Sequence, residues 1–232
     1  SAVDVYAVEG TRNQSRIVVA DNFVNDSVLV SNDRGETFST VTYRSGGGNT
    51  TRPTGLDGAP LDRDTYVIGA FEPAGSAARL FSTTDGGQTF GENTDVSGLP
   101  GTYTAVRRCA LQNGGQNIFL ITETGTNTVI LQGSSNTLFG MTALRTFGAN
   151  ELYNDGVWHK SGNAVLVGEI SGVSDIQLYA GVNFNPATTV PNVGILLGVD
   201  MVRGGSEGWA VGAGGSVLYT TNDGVDWVDQ SS

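Results

Sequence analysis

Glu72, Glu123 and Glu169 come nearest, by type and placement, to residues that could do chemistry. Each closes a short hydrophobic run and enters a segment rich in Gly, Ser and Thr. Two carboxylates flanking a sugar are what glycoside cleavage requires, one as acid and the other as base or nucleophile. Three matched positions in a repeating chain also arise by descent, so the same pattern has a purely structural reading. His159 is the sole histidine and follows Trp158 in VWHKSG. It has no Gly-x-Ser-x-Gly segment to make a hydrolase triad and no second His or Cys partner for a metal. It reads as a packed or loop histidine. Cys109, in YTAVRRCAL, is the lone cysteine; it excludes an internal disulfide and reads as a buried strand thiol. The arginines are scattered: Arg44 and Arg52 share one Gly-rich stretch, Arg107 and Arg108 are adjacent, and Arg203 stands apart. No catalytic residue, metal or cofactor is assigned from these groups.

The elements that position them announce themselves through a repeat. SNDRGETF, at Ser31 to Phe38, returns as TTDGGQTF at Thr83 to Phe90 and, more loosely, as TTNDGVDW at Thr220 to Trp227. The shared pattern is Ser/Thr-x-Asp-x-Gly-x-Thr-Phe/Trp. An Asp at the third position accepts hydrogen bonds from amides two residues on, and Gly supplies the positive φ that a Cβ would forbid. The Thr hydroxyl adds a local bond, and the aromatic is expected to plug between sheets. On this reading Asp33, Gly35, Thr37 and Phe38 form one staple, Asp85, Gly87, Thr89 and Phe90 the second. Asn222, Gly224 and Trp227 form a third whose cap is expected to be weaker, because Asn and Asp226 replace Asp and Thr.

Two further degenerate copies, LQGSSNTLF ending at Phe139 and LYAGVNF ending at Phe184, fall in phase. The five ends are spaced 52, 49, 45 and 43 residues apart, close to the ~40–50 residues of one four-stranded propeller blade. Each unit carries two β-branched runs bounded by turn residues, as in RIVVA (Arg16 to Ala20) and SVLVS (Ser27 to Ser31), and no window sustains a helical apolar face. The 34 Gly and 6 Pro supply the turns that some twenty strands need. The expected fold is all-β: a single five-bladed propeller of four-stranded antiparallel blades at about 1–45, 46–97, 98–147, 148–190 and 191–232. Inner strands are expected near Val3 to Val8, Ala59 to Asp64, Tyr103 to Leu111, Gly156 to Lys160 and Ile195 to Met201.

The motif resembles the Asp box of the sialidase-type (BNR) repeat, and the chain as a whole resembles a small Asp-box β-propeller. That resemblance implies a fold rather than an activity, since in that family the box lies on the side away from the usual active face. It also implies what a sialidase would need: three converging arginines, a Tyr–Glu nucleophile pair and an acid/base Asp. The scattered arginines do not supply that set, and RIVVA at Arg16 lacks the Pro of the family's Arg-Ile-Pro segment.

With 12 basic against 23 acidic residues the formal net charge is −11, which disfavours nucleic acid and anionic membranes as partners. No apolar run is long enough to insert in a membrane, and SAVDVY carries no leader signature. An extracellular or virion-surface setting is favoured. The expected role is a non-enzymatic binding or structural module in a larger assembly, such as a phage virion or surface-displayed protein. A lectin or glycoside hydrolase working through the loop face is the alternative, with a glycan as the second partner class. The partner surface is expected on the long connections Tyr43 to Gly58 and Glu92 to Tyr103, with Tyr43, Arg44, Arg52 and Tyr103 as contacts.

Overall fold

Runs of Val, Ile, Leu and aromatic residues between Gly-, Asn- and Asp-rich punctuation become antiparallel strands in every repeat. The structure is a computed structural model. It describes residues 2–8, 16–21, 26–44, 50–58, 64–72, 77–93, 105–111, 117–124, 127–134, 137–160, 163–180, 183–185, 188–190, 193–202 and 204–231. Five antiparallel sheets follow one another along the chain. The first holds β1 (Ala2–Val8), β2 (Arg16–Asp21), β3 (Ser27–Ser31) and β4 (Ser39–Thr42). The second holds β5 (Arg52–Gly58), β6 (Tyr66–Glu72), β7 (Ala77–Thr83) and β8 (Gly91–Asn93). The third holds β9 (Ala105–Leu111), β10 (Asn117–Thr124), β11 (Asn127–Ser134) and β12 (Thr137–Thr146). In the fourth, β13 (Glu151–Lys160), β14 (Asn163–Ile170) and β15 (Val173–Ala180) are completed by two short strands that both pair with β15. These are β16 (Asn183–Phe184) and β17 (Thr188–Thr189). The fifth holds β18 (Leu196–Met201), β19 (Gly208–Gly212), β20 (Val217–Thr220) and β21 (Val228–Asp229). The first four strands of each sheet pair in chain order, as a blade requires, and in the fourth sheet β17 returns to pair with β15 beside β16.

The chain divides into two compact units, Ser1–Gly125 with Val129–Arg145, and Thr126–Thr128 with Thr146–Ser232. In the first unit the leading strands lie side by side, β1 beside β5 and β5 beside β9. Alternation sends Val18, Ala20, Val28 and Val30 inward against Leu56, Tyr66, Ile68 and Phe81 of the second sheet. In the second unit β13 lies beside β18, and Val165, Val167 and Ile176 meet Leu196, Val199, Ala210 and Leu218. Face-to-face burial of alternate residues from successive sheets is the packing of β-blades.

Two expected boundaries are corrected. The inner strand of the second unit of sequence is Arg52–Gly58 rather than Ala59 to Asp64, of which only Asp64 is described, as a turn residue. The inner strand of the fourth sheet, expected near Gly156 to Lys160, begins already at Glu151. Pro53 enters β5 at a register shift between Pro53 and Gly55, the kind of irregularity at which proline is tolerated in a strand.

Candidate functional site

The three motif turns share one bonding plan. In the first, the Ser31 hydroxyl donates to Asp33 Oδ1 (2.7 Å) and accepts from the Gly35 amide (2.8 Å). Asp33 Oδ1 also accepts from the Thr37 amide at 2.9 Å, and the Thr37 hydroxyl donates to Oδ2. The carboxylate thus reaches an amide four residues on, not two. The second turn repeats every bond, with Thr83 Oγ1 to Asp85 at 2.8 Å, and the Thr89 amide and hydroxyl to Asp85 at 2.9 and 2.6 Å. These donors pull the Asp33 pKa down to about 2 and hold the Asp85 carboxyl well below the usual carboxylate range, the Thr37 and Thr89 hydroxyls contributing most.

The last turn keeps the plan with its polarity reversed. Asn222 Oδ1 accepts from the Asp226 amide (2.9 Å), and Asn222 Nδ2 donates back to the Asp226 carboxylate (2.8 Å). Trp227 Nε1 adds a bond to the Gly224 carbonyl at 2.8 Å. The cap expected to be weak therefore has as many bonds as the others, because Asn supplies the donor that Thr supplies elsewhere. The two degenerate copies differ: one strand ends at Ser134 and the next begins at Thr137, and likewise at Ala180 and Asn183, leaving two residues where the intact motif places an eight-residue turn.

The residues expected to face a partner have other duties. Tyr43 is 4 % exposed, its hydroxyl 3.0 Å from Thr51 Oγ1, and burial raises its pKa. Thr51 in turn donates its amide and hydroxyl to Asp26 Oδ1, at 2.7 and 2.8 Å. Arg44 lies 3.4 Å from the Glu72 carboxylate and 3.6 Å from that of Glu92. Arg52 is exposed, but on β5 rather than in a flexible loop. Tyr103 lies outside the described residues. The expectation of a free Tyr43 and Arg44 is corrected: the ring fills the core between two sheets, and the guanidinium neutralises carboxylates at their edge.

The glutamates also sit within strands, not loops. Glu72 ends β6, only 3 % exposed, with Arg79 Nε at 2.9 Å and Arg44 beyond it. Glu123 stands opposite Ala105 in β10, and Glu169 opposite Leu152 in β14. His159 is buried in β13, its Nε2 3.6 Å from the Asp223 carboxylate. Asp175, fully buried in β15, accepts from the Tyr153 hydroxyl at 2.6 Å. Cys109 lies in β9 opposite Leu120.

One surface was missed at the level of sequence. In the fifth sheet Leu196, Val199, Met201, Ala210 and Leu218 point into the core, and their alternates Leu197, Trp209 and Val211 point out. Trp209 is 45 % exposed and lies 5.1 Å from the Tyr219 ring, tilted by 37°. Val228 on β21 is exposed beside them. A shallow groove of about 260 Å³ runs along Tyr219, Thr221, Asn222, Asp226, Val228 and Gln230. The signal was present in GWAVGA, where neither alternating set carries a polar side chain, and in SVLYT, where Val217 and Tyr219 flank the inward Leu218, the pattern of strands covered on two faces.

No family model matches this chain, and no curated protein matches it. Solved structures do. Ycf48 bound to D1 peptide is similar with a TM-score of 0.58 at 13 % identity, over 97 % of this chain and 65 % of that one. The WD40 β-propeller domain of Doa1 gives 0.62 at 9 % identity, over 99 % and 69 %. The GH74 xyloglucanase from Xanthomonas campestris gives 0.65 at 11 % identity, over 98 % and 38 %. The chain thus spans from about two thirds down to about two fifths of the length of these structures. At such identities the likeness is one of fold, and the fold is that of a β-propeller.

Proposed function

We propose that this chain is a non-enzymatic binding or structural module, built of five propeller blades with Asp-box hairpins, that engages a protein partner within a larger assembly. A phage virion or a surface-displayed protein is the setting favoured. The observation that carries the reading is the outward apolar face of the fifth sheet. Large apolar groups lying contiguously on a rigid sheet mark a surface that another macromolecule covers. The charged groups nearest to catalysis support it from the other side: Glu72 is held by two guanidiniums and Asp175 by a buried phenol, so each is engaged in the scaffold. Ycf48, a similar fold, is described bound to D1 peptide, a precedent for peptide recognition by such a fold.

A second reading has one observation in its favour. Trp209 and Tyr219 form an aromatic platform beside the groove that carries Asn222, Asp226 and Gln230, and pyranose rings stack on such platforms. A glycan array combined with a hydrolysis screen of the purified chain separates the readings. The protein-partner reading expects neither retention nor turnover. Hydrolysis of a sialoside or β-glucan that disappears in Glu123→Gln or Glu169→Gln would replace it with the enzyme.

A further inference from the structure

Within each compact unit a motif turn is tied to the preceding sheet at the same place. In the second sheet the residue after the motif Asp is Gly86, left-handed at φ +74°, and its amide donates to the Asp64 carbonyl at 2.9 Å. In the fifth sheet that place is held by Asp223, left-handed at φ 65°, and its amide donates to the Ser206 carbonyl, also at 2.9 Å. Asp64 and Ser206 both lie between the first and second strands of their sheet, so the two turns correspond. Each meets a nitrogen base from the sheet before it. Beside Gly86 that base is Arg16 of β2, whose Nη1 lies 3.0 Å from the Asp64 carboxylate. Beside Ser206 it is His159 of β13, whose Nε2 lies 3.6 Å from the carboxylate of Asp223.

The carboxylate changes place with the length of the base. Arg16 reaches under the motif turn, where a Cβ on Gly86 would collide with its guanidinium, and its counter-ion sits in the neighbouring hairpin. The imidazole is shorter, and its counter-ion is the motif residue itself. His159 is also the residue at which β13 shifts register, since Trp158 opposes Ala164 and Lys160 opposes Asn163. Such a bulge re-aims a side chain, here toward the next sheet. Beside it the Gly204 amide donates to the His159 carbonyl at 3.4 Å. The other charged residues on these elements are Lys160, next along β13, and three carboxylates with contacts of their own. Asp200 accepts from the Met201 amide, Glu207 is set against the Tyr219 hydroxyl, and Asp226 accepts from Asn222 Nδ2. Arg203 lies outside the described residues.

A guanidinium keeps its charge throughout, so the Arg16–Asp64 pair is permanent. An imidazole is charged only when protonated, and exchanges that proton between about pH 5 and 8. We propose that His159 and Asp223 form a proton-gated latch, in which the imidazolium pairs with the Asp223 carboxylate and clamps the last motif turn onto the fourth sheet. Loss of the proton releases the clamp from a turn whose Gly224 faces Val165 and Leu178 and whose Trp227 packs on the same cluster. Burial of the ring opposes the charge, and the carboxylate favours it. With 38 % of its side chain in water, Asp223 stays largely hydrated, so its own desolvation does not cancel the attraction. The contribution of the latch is therefore present at the acid end of the window and is lost as pH rises through it.

His159 is the only histidine, so its ring resonance reports the proton directly. Asp223→Asn removes the charge and keeps a residue type that tolerates the left-handed backbone. In that variant the midpoint of the ring titration is expected to fall by about one pH unit, a factor of about ten in proton affinity. The Gly224 and Asp226 amides, both bonded within the turn, supply a second readout by hydrogen exchange. Referred to the intrinsic rate at each pH, their protection in the unmodified chain is expected to be about tenfold higher at about pH 5 than at about pH 8. Both Asp223→Asn and His159→Gln should flatten that difference. The Gly87 and Thr89 amides, in the turn beside the permanent pair, should stay level in all three proteins. A midpoint unmoved by Asp223→Asn overturns the latch, as does a ring still neutral at about pH 5. A pH-dependent loss of protection shared by both motif turns overturns it equally. Asp223 is part-exposed, so Asp223→Asn carries the decision even where His159→Gln does not fold.

Discussion

Phe38 and Phe90 occupy the same place in two near-identical motifs, and the structure separates their energetic roles. Phe90 is wedged between Tyr43 and Tyr66, with centroids at 6.2 and 5.9 Å and both pairs edge-on. Truncating a buried Phe costs about 3–5 kcal/mol, and each aromatic pair contributes about 0.5 kcal/mol or more of that. Because part of the Phe90 ring still meets water, Phe90→Ala is expected to cost about 3 kcal/mol, toward the low end of that range. Phe38 has one covered flank, over Ile17 and Gly35, so Phe38→Ala is expected to cost about 1 kcal/mol from lost area alone. Both residues belong to the first compact unit, so one unfolding transition reports both substitutions. In urea a gap of about 2 kcal/mol corresponds to roughly 1 M between midpoints at unchanged slope. The comparison is made at about 1 µM, where contacts of ordinary weak affinity are dissociated. Equal losses in the dilute series, or a larger loss at Phe38, would refute the assignment of the two rings.

Acid should loosen the staples first. The Asp33 pKa is lowered to about 2, so its contribution is complete above about pH 4 and is lost as pH falls through about 2. Thermal midpoints of the Asp33→Asn, Asp85→Asn double variant should show a shallower slope across that window; an unchanged slope counts against the carboxylates as caps. Asp33→Asn alone should destabilise, and adding Thr37→Asp should restore stability by recreating the Asn222–Asp226 arrangement; a double variant no better than the single one would contradict the reversed-polarity cap. Replacing Glu72 with Ala removes the carboxylate that Arg79 and Arg44 share, leaving Arg44 its contact with Glu92, and should cost about 3 kcal/mol by denaturant titration, with a cost near zero disproving the clamp. Gly87→Ala forces a side chain at φ +91° onto the Tyr66 hydroxyl and Val41, whereas Gly172→Ala, at φ +82°, meets nothing within 4 Å. Both carry backbone strain, so the expected result is a loss at Gly87 larger by about 1–3 kcal/mol, the cost of overpacking, and parity would refute the close approach.

The second and third strands of each sheet were legible from sequence to within a residue or two, because they read as β-branched runs cut off by Gly, Asn and Asp. The staple was legible too, since Ser31, Asp33, Gly35 and Thr37 bond within one turn and need no distant partner. Even there, local chemistry alone misjudged the Asn222–Asp226 pair, whose donor and acceptor had changed places together. What the tertiary structure decided is everything that depends on which face a neighbour covers. TRPTGLDG has two Gly, a Pro and no alternation, yet Arg52–Gly58 is a strand, because β1, β6 and β9 surround it and Leu56 completes the core. Tyr43 and Arg44 ended a strand beside a Gly-rich stretch and read as surface, but the second sheet turns the ring into a core residue and the guanidinium into a counter-ion. Phe38 and Phe90 hold the same place in two closely similar motifs, yet only Phe90 is wedged between Tyr43 and Tyr66. A period of two says that a strand has two faces; only packing says which of them meets protein and which meets water.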